Sequence, residues 1–413
     1  MFRVFKDELS DKKWPKIIVR SLQSVFKGWG KQHPFSLPNG GQLEVVEYYG
    51  METFFGYYDR SPLSKDNRYM LFYASPHNTK LNPNPNKPIF LILFDLIDNQ
   101  EIKNWEIHSY NWQQGSKAQW LTERSFIFNN YSEDKGYYAI IYDIDKSDEV
   151  VIEAPNYESC NNFTLSLNFC RLSRFRPDYG YRNIIQFSLD DTSDGVYKCD
   201  FATNQKQLLV SISELMKMTP VETMNNACHK VNHIMLSPNR DKFMFMHRWI
   251  YDGKKDDRLY VYNLNNKMIC LVADYGMVSH CYWLNNDNIV GYMNGPGKVP
   301  GYYVINIEKN TINKLSDSIQ HFGDGHPSVC DNKMVFDTYP DSNRLKHLFL
   351  FDFNTNELEE IAIVKESLGY ECQCRCDCHP RFVNNDLVLF DSTHTGKRQL
   401  CFLKAFNKSK DEK

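Results

Sequence analysis

The chain has 413 residues and a formal net charge of −3, with 42% hydrophobic and 14% aromatic residues. This composition is typical of a globular protein, and the absence of a net basic charge argues against nucleic acid as a partner. No apolar run is long enough to span a membrane. The first residues, MFRVFKDELSDKKW, lack the apolar core of a signal peptide. We therefore expect a cytoplasmic protein whose 12 cysteines are reduced thiols or metal ligands.

The first predicted element is a short amphipathic helix over residues 11–29. Its apolar positions recur near helical spacing, and lysines and arginines fill the rest; the apolar positions are Trp14, Ile18, Leu22, Val25, Phe26 and Trp29. Such a helix either packs on the domain that follows or lies on an anionic membrane surface as a peripheral contact. Residues 33–41 have the Pro and Gly content of a linker, so we assign residues 1–41 to an N-terminal extension.

Short strands rich in aromatic and β-branched residues begin at residue 42. The strand QLEVVEYYG (42–50) has no partner in its own unit, and we predict that it completes the last blade of a closed ring. Three blades follow. Blade one runs from FFGYYDRSPLS to IFLILFDL, and blade two from QWLTERSFIFNN to EVVIEAP. Blade three holds FTLSLNFCRLS, YRNIIQFSL, GVYKCDF and KQLLVSI.

The second half of the chain repeats one pattern four times. Each copy has a histidine, an apolar strand, a turn rich in Asn and Asp, and two more strands; the histidines are His233, His280, His326 and His379, spaced 47, 46 and 53 residues apart. Self-similarity at this period is the signature of propeller blades. We therefore predict an all-β, seven-bladed β-propeller over residues 42–406, followed by a charged tail, 407–413. Histidines recurring in four blades predict a ring of imidazoles at the channel mouth.

Several loops and strand ends carry candidate catalytic residues. A Tyr or His in a strand is usually packed and hydrogen-bonded, and a loop Arg is usually solvated, but their concentration at predicted blade starts and turns favours a site. The candidates are Tyr58 in FGYYDRSP, His77 in ASPHN, Arg176 and Tyr181 in RLSRFRPDYGYR, His229 and His233 in CHKVNH, and Arg248 in MHRW.

A metal site is a further hypothesis, because imidazole and thiolate are the usual ligands of zinc-like ions. His280, His326 and His379 with Cys376 would make a set of three nitrogens and one sulfur, with His233 or Cys378 as substitutes. The alternative is that each histidine merely starts a strand and donates to a backbone carbonyl of the next blade. If residues 372–379 are extended, the four cysteines share one face, with Arg375, Asp377 and His379 on the other. Cys376 then reaches His379 only through a turn.

Three motifs resemble those of the propeller-fold polysaccharide lyases, the oligogalacturonate and ulvan lyases. They are DGHPS (324–328), CDCHPRF (376–382) with the following DSTHTGKRQ, and GYYD (56–59). The resemblance covers most of the chain from about residue 45. It implies a seven-bladed propeller, a divalent metal (zinc or manganese) held by histidines of late blades, and β-elimination of a uronic-acid-containing oligo- or polysaccharide. It carries His326 and His379 over as metal ligands. Cys376 departs from the family, since the oligogalacturonate lyases have glutamine there.

The residue types suit that chemistry. β-Elimination needs a cation on the substrate carboxylate, a base for the neighbouring proton and an acid for the leaving oxygen. We expect Arg176 or Arg248 on the carboxylate, His229 or His233 as base, and Tyr58 or Tyr181 as acid. Two alternatives stay open.

One alternative is a non-catalytic propeller that binds a glycan or protein partner in surface-polysaccharide assembly. Such a binding propeller would have a flat face, with its histidines bonded to backbone. The other alternative is a glycosidase with a carboxylate pair, Asp59 with Asp178 or Asp324.

Overall fold

Seven antiparallel sheets succeed one another along the chain, which confirms the predicted seven-bladed β-propeller. The computed structural model describes residues 34–404 except 185, 186 and 188. The helix predicted over 11–29 and the tail 407–413 lie outside these residues, and the predicted domain limits stay predictions. Within the described part, no helix is both long enough and apolar enough to cross a membrane.

The strands of the first three blades follow one another in sequence order, with the first strand of each blade innermost. Two strands precede them: β1 (Phe35–Ser36) and β2 (Gln42–Val45). Blade one contains β3 (Glu52–Phe54), β4 (Tyr69–Ser75), β5 (Ile89–Asp95) and β6 (Gln100–Ile107). Blade two contains β7 (Gln119–Trp120), β8 (Ser125–Ser132), β9 (Gly136–Asp143) and β10 (Asp148–Ile152). Blade three contains β11 (Glu158–Ser159), β12 (Phe163–Ser166), β13 (Gly195–Asp200) and β14 (Lys206–Ser211).

The four histidine blades have the same meander order. Blade four contains β15 (Cys228–Leu236), β16 (Lys242–Tyr251), β17 (Lys254–Asn263) and β18 (Ile269–Gly276). Blade five contains β19 (Val278–Trp283), β20 (Asn288–Asn294), β21 (Pro300–Asn306) and β22 (Thr311–Lys314). Blade six contains β23 (Ser328–Cys330), β24 (Lys333–Asp337), β25 (Leu345–Asp352) and β26 (Leu358–Lys365). Blade seven contains β27 (Arg381–Asn384), β28 (Leu387–Ser392) and β29 (Gln399–Lys404).

The ring closes as the sequence predicts. β2 pairs with β29, with Gln42 opposite Lys404 and Val45 opposite Cys401, and so supplies the fourth strand of blade seven. Pairing across the closure removes two free sheet edges and ties the ends of the ring together. β1 adds a fifth strand to blade six by pairing with β26. The sequence did not predict this strand, because it lies in the Pro- and Gly-rich stretch taken as a linker.

Blade three departs from the predicted strands. The run FTLSLNFCRLS is a strand only to Ser166, after which the chain forms helix α1 (Phe169–Phe175). The Asn168 side chain caps this helix by accepting a hydrogen bond from the Arg171 backbone N–H at 3.0 Å. The described residues of the predicted strand YRNIIQFSL belong to no strand.

The remaining helical segments are short. Helix α2 (Ile212–Met218) begins with a capping box in which Ser211 and Glu214 bond each other's backbone N–H groups. Four 3₁₀ turns complete the described helical segments; they span Glu222–Met224, Pro296–Lys298, Asp317–Phe322 and Cys372–Cys374. The last turn shows that the cysteine-rich segment is not extended throughout.

The core lies between neighbouring blades. Trp105 of β6, for example, packs on Phe126, Phe128 and Tyr142 of blade two, with ring centroids 5.4, 5.3 and 4.9 Å away. Aromatic side chains bury a large apolar area each, so such contacts hold adjacent sheets firmly face to face. The blade starts and loops at the channel mouth are therefore carried on a rigid frame.

Candidate functional site

Four histidines, each from a different blade, form a ring at the channel mouth. Neighbouring ring centroids are 5.6 Å apart for His233 and His280, 4.0 Å for His280 and His326, and 4.3 Å for His326 and His379. All four side chains are buried. His233 and His280 lie within innermost strands, and His326 and His379 lie two residues before theirs. The shared register of the repeats therefore predicts a real cluster, the histidine ring.

The backbone that carries three of these histidines departs from regular strand geometry. The strand register shifts around His233, between Asn232 and Met235, and around His280, between Val278 and Cys281. His233 and His379 also adopt left-handed backbone, with φ of 53° and 46°. Bulges re-aim side chains, and left-handed backbone in a non-glycine residue is uncommon outside turns. The local geometry thus departs from regular strand where the imidazoles turn toward one another.

Three residues of the late blades offer a metal-binding group, the ligand triad: His326, Asp377 and His379. Their ligand atoms all lie within 4.8 Å of one another. Nε2 of both histidines and Oδ1 of Asp377 are buried and have no hydrogen-bond partner within the described part of the chain. A buried polar atom without a partner lowers the stability of the folded state by about 1–3 kcal/mol. Three such atoms close together therefore indicate a site for a ligand. Imidazole nitrogen and carboxylate oxygen fit a divalent cation such as zinc or manganese.

Carboxylates behind the ring orient two of the imidazoles. Asp337 Oδ1 accepts from the Nδ1 of His326 and from its backbone N–H, both at 2.8 Å. Asp337 Oδ2 accepts from the backbone N–H of His379 at 3.1 Å. Asp324 holds His280 in the same way, at 3.0 Å from its Nδ1. Because Nδ1 carries the hydrogen, Nε2 of His326 is left with its lone pair toward the triad, as in metal sites.

The pKa shifts of Asp377 and His379 favour the forms that bind a cation. Burial opposes the charged form of Asp377, but Arg375 and His326 outweigh it and hold the pKa of that carboxyl well below its usual range. Burial and the neighbouring His326 lower the pKa of His379 well below its ordinary value. Burial alone would lower the pKa of His326, but Asp337 raises it overall. Asp377 is therefore a carboxylate and His379 a neutral imidazole at neutral pH, the forms that bind a cation.

The structure places Asp377, not Cys376, beside His379. The Cys376 side chain is buried away from the triad, while its carbonyl accepts a hydrogen bond from Lys346 Nζ at 2.6 Å. Burial raises the pKa of the Cys376 thiol to about 12, which disfavours its thiolate form. After the turn at Cys372–Cys374 the chain extends, and alternation puts residues 377 and 379 on the same side.

Two tyrosines of the GYYD motif lie against the histidine ring. The Tyr57 hydroxyl is 3.0 Å from Nδ1 of His233, and its ring centroid is 4.9 Å from that of His379. The predicted Tyr58 is also in the cluster, 5.6 Å from His326, but its hydroxyl donates to the Cys281 carbonyl at 3.0 Å. Tyr57, which the sequence did not single out, is therefore the tyrosine whose hydroxyl meets an imidazole.

Blade seven holds the GYYD loop in place. Asp391 accepts from the backbone N–H groups of Phe55 and Gly56 at 3.1 and 2.8 Å. Arg381 donates to the Gly56 carbonyl at 2.6 Å and pairs with Asp391 at 3.1 Å. Gly56 has φ of 108°, and a Cβ there would lie 3.0 Å from the Gln113 carbonyl oxygen, so only glycine fits.

Basic side chains of blade four and of the loop after α1 form a second group, the basic rim: Arg176, Arg248, Lys255 and Lys230. Arg176 Nε is 3.1 Å from Asp178, and its side chain is 36% exposed. The other two paired cations share one carboxylate, Asp257, with Arg248 Nε at 3.4 Å and Lys255 Nζ at 3.1 Å.

The charge of Arg248 affects a member of the histidine ring, His233. After burial, the Arg248 charge is the largest cause that lowers the pKa of His233 well below its ordinary value. Arg375 connects the ligand triad with the basic rim. It donates to Asp377 Oδ2 at 2.7 Å and ion-pairs with Asp178.

Tyr181 lies in the core, away from the ring. It is fully buried, stacked on Phe169 with centroids 4.3 Å apart, and its hydroxyl accepts from Asn129 Nδ2 at 2.9 Å. The sequence shows a Tyr next to Gly180 but not the direction of its side chain, which here completes the packing of α1.

His229 and His77 are also placed elsewhere. The Nδ1 of His229 is 3.0 Å from Nε2 of His247, and its Nε2 donates to the Met224 carbonyl at 3.0 Å. His77 lines a surface groove together with Lys80 and Lys397. Of the predicted catalytic residues, the structure thus brings Tyr58, His233, Arg176 and Arg248 to the mouth.

Two solved structures of similar fold are oligogalacturonate lyases. One, described as an oligogalacturonate lyase in complex with manganese, is 14% identical with a TM-score of 0.62, over 91% of this chain and 98% of that chain. Another, from Vibrio parahaemolyticus, is 13% identical with a TM-score of 0.60, over 90% of this chain and 96% of that chain. No protein-family model matches the sequence, and no curated protein matches it. The resemblance predicted from the motifs is thus confirmed for the fold.

Proposed function

We propose that this protein is a metal-dependent lyase that cleaves a uronic-acid-containing oligosaccharide by β-elimination. The observation that carries the proposal is the set of three buried ligand atoms on His326, Asp377 and His379 that have no hydrogen-bond partner among the described residues. A lyase of similar fold is described in complex with manganese, which supports a divalent cation as the ligand of this protein. The group of cations in the basic rim supports an acidic substrate.

The rim residues would hold the substrate carboxylate. Arg176 is partly exposed and presents a planar fork that binds a carboxylate through two charge-assisted hydrogen bonds. Arg248 lies deeper and adds positive charge. When bound at the triad, a divalent cation supplies Lewis-acid polarisation of the same carboxylate, which acidifies the neighbouring C–H. Neutralising the carboxylate from both sides lowers the barrier to removing that proton.

The Tyr57–His233 pair would serve the leaving group. A hydroxyl in contact with an imidazole can give its proton to the departing glycosidic oxygen and regain one through the ring. Tyr58 is less suited to this role, since its hydroxyl is already bonded to a backbone carbonyl.

A non-catalytic, glycan-binding propeller is the competing function. In such a protein we would expect the histidines to bond backbone carbonyls of neighbouring blades. Nε2 of His326 and of His379 instead lack any partner between residues 34 and 404. This favours the enzyme, because unsatisfied ligand atoms in a buried cluster are typical of a functional site.

The test combines metal analysis with a lyase assay. The purified protein is expected to hold about one divalent ion per chain and to release products with the ultraviolet absorbance of an unsaturated uronate from at least one of a panel of acidic oligosaccharides. The double variant His326→Ala/His379→Ala should lose both properties, and Cys376→Ser should keep both. A metal-loaded wild type that binds an acidic glycan but forms no unsaturated product would overturn the lyase in favour of the binding function.

A further inference from the structure

Lys230 differs from the other buried lysines. Four lysines are buried in the part of the chain that the structure describes: Lys117, Lys230, Lys242 and Lys346. Three have a carboxylate oxygen nearby, at 3.5, 3.4 and 2.7 Å for Lys117, Lys242 and Lys346. Lys230 has no such carboxylate among the described residues, and its Nζ donates to the Phe175 carbonyl at 2.8 Å. A buried ammonium without a counter-ion is costly, so this amine is biased toward its neutral form.

The surroundings strengthen that bias. The charged groups that act on Lys230 come from three elements: Arg176 and Asp178 after α1, Arg248 on β16 and Lys255 on β17. Arg248 lies directly opposite Lys230 in the β15–β16 pair. Burial and the three cations lower the pKa of Lys230 to about 7, against the single opposing effect of Asp178.

Lys230 lies on the same strand as His233 of the histidine ring. It precedes His233 by three residues on β15, and the same two arginines, Arg176 and Arg248, lower the pKa of His233. One buried polar group here lacks a hydrogen-bond partner among the described residues, the side-chain amide of Asn232. Such an unsatisfied group leaves polar contacts for a substrate to make.

We propose that Lys230 is the base that removes the proton from the carbon next to the substrate carboxylate. This assignment deepens the proposed lyase function and rests on it. The lone pair of Nζ forms a new N–H bond as the C–H bond breaks. The released electron pair becomes the C=C bond, and the glycosidic C–O bond breaks. The leaving oxygen takes the hydroxyl proton of Tyr57, and solvent then removes the extra proton from Lys230 and restores that of Tyr57.

The neighbouring cations explain why a lysine serves here. Arginine stays protonated at any pH of interest and cannot accept a proton readily, whereas a depressed amine is both neutral and basic near neutral pH. The cations that keep Lys230 neutral are the same ones that would hold the substrate carboxylate. As the carbanion forms, the negative charge on that carboxylate grows, and this favours the ammonium that forms beside it.

The test compares the pH dependence of kcat/KM in matched variants, on whichever acidic oligosaccharide the wild type cleaves. Wild-type kcat/KM should fall about tenfold per pH unit below about pH 7, since Lys230 must be neutral. Lys230→Met should lower kcat by about 10²-fold or more with little change in KM. Lys230→Arg keeps a cation and should be as inactive. Ethylamine should restore part of the activity of Lys230→Ala. Lys242→Met is the control, because Lys242 is a buried lysine at the first position of β16. Its kcat and KM should match those of the wild type.

The outcomes separate this inference from the function on which it rests. If the wild type cleaves an acidic oligosaccharide and Lys230→Arg keeps that activity, Lys230 acts only through its charge and the inference is wrong while the lyase stands. If Lys230→Met is active, the inference is equally wrong. If the wild type cleaves nothing in the panel, the function and the inference fall together. NMR of ¹³Cε-labelled lysine gives a readout without substrate: a signal lost in Lys230→Met should titrate near pH 7, and titration above about pH 9 would overturn the assignment.

Discussion

Two groups of side chains at the channel mouth differ in the charges they collect. The late blades collect carboxylates, Asp324, Asp337 and Asp377, around histidines with free lone pairs. Blade four and the loop after α1 collect cations and leave Lys230 without a counter-ion. A negatively charged group suits a bound metal ion, and a positively charged group suits an acidic substrate. The charge at the mouth is therefore divided between two groups of residues rather than uniform.

Two members of the histidine ring show what this division of charge does. His326 and His233 are both buried imidazoles near the same axis, and burial alone would lower both pKa values. The Asp337 carboxylate raises the pKa of His326, whereas Arg248 lowers that of His233 further. One repeated residue thus acquires two different properties from its neighbours, and equivalence in sequence does not mean equivalence in chemistry.

The largest expected effect comes from removing a ligand. His326→Ala or His379→Ala should weaken metal binding more than about 100-fold, because each removes a donor atom of the triad. The melting temperature should then no longer fall when a chelator is added, since metal bound only to the folded state stabilises it by about 2.7 kcal/mol at a hundredfold excess over Kd. Elemental analysis and thermal melts with and without chelator measure both. Arg176→Lys changes a residue of the basic rim and should leave the metal content unchanged. Loss of metal from this variant would contradict the separation between the triad and the rim.

A second pair of variants tests the identity of the carboxylate ligand. Asp377→Asn keeps the size but removes the charge, and should weaken metal binding about 10- to 100-fold. Cys376→Ser changes the neighbouring buried thiol and should leave the affinity within about twofold. Competition with a fluorescent chelator gives both constants. The reverse order of effects would restore Cys376 as the ligand.

Next in size is the comparison of the two adjacent tyrosines. Tyr57→Phe removes the hydroxyl that contacts His233 and should lower kcat about 10²-fold. Tyr58→Phe removes only a bond to a backbone carbonyl, so it should cost about 1 kcal/mol of stability with a much smaller loss of turnover. Steady-state kinetics and urea unfolding of the same samples separate these results. Equal losses of turnover would show that the pair acts as a unit.

The smallest expected effects come from comparing a rim residue, Arg176, with a core residue, Tyr181. Arg176→Lys keeps the charge but loses the bidentate fork, and should lower kcat/KM about tenfold with stability within about 0.5 kcal/mol of wild type. Tyr181→Phe should do the reverse: Asn129 loses one of its two hydrogen-bond acceptors, so stability falls by about 1 kcal/mol while turnover is unchanged. A lyase assay beside a denaturant titration measures both. Lost turnover in a stable Tyr181→Phe would return that residue to the site.

The sequence predicts the frame better than the site. The four-fold repeat predicts the blades and the histidine ring, and the unpaired strand at residue 42 predicts the closure. Asp377 was missed although strand alternation already put it on the face of His379. Tyr57 was missed because two adjacent tyrosines look alike until one hydroxyl meets His233.

Other features leave no sequence signal. The sequence does not show that Lys230 is buried without a neighbouring carboxylate, because that property depends on how distant segments pack. Helix α1 follows a strand-like run, and its cap at Asn168 is a common residue in turns as well.

The contact between Asp391 and the GYYD loop has a consequence for biosynthesis. It joins residues that are 335 positions apart, so the loop that carries Tyr57 is fixed only after almost the whole chain has been made. Contacts of such long range form late and slowly. A chain that ends before Asp391 would therefore lack the bonds that fix the GYYD loop, whatever blades it had already folded. If the proposed site binds a metal, uptake of that metal during synthesis would report when the first and last blades come into contact.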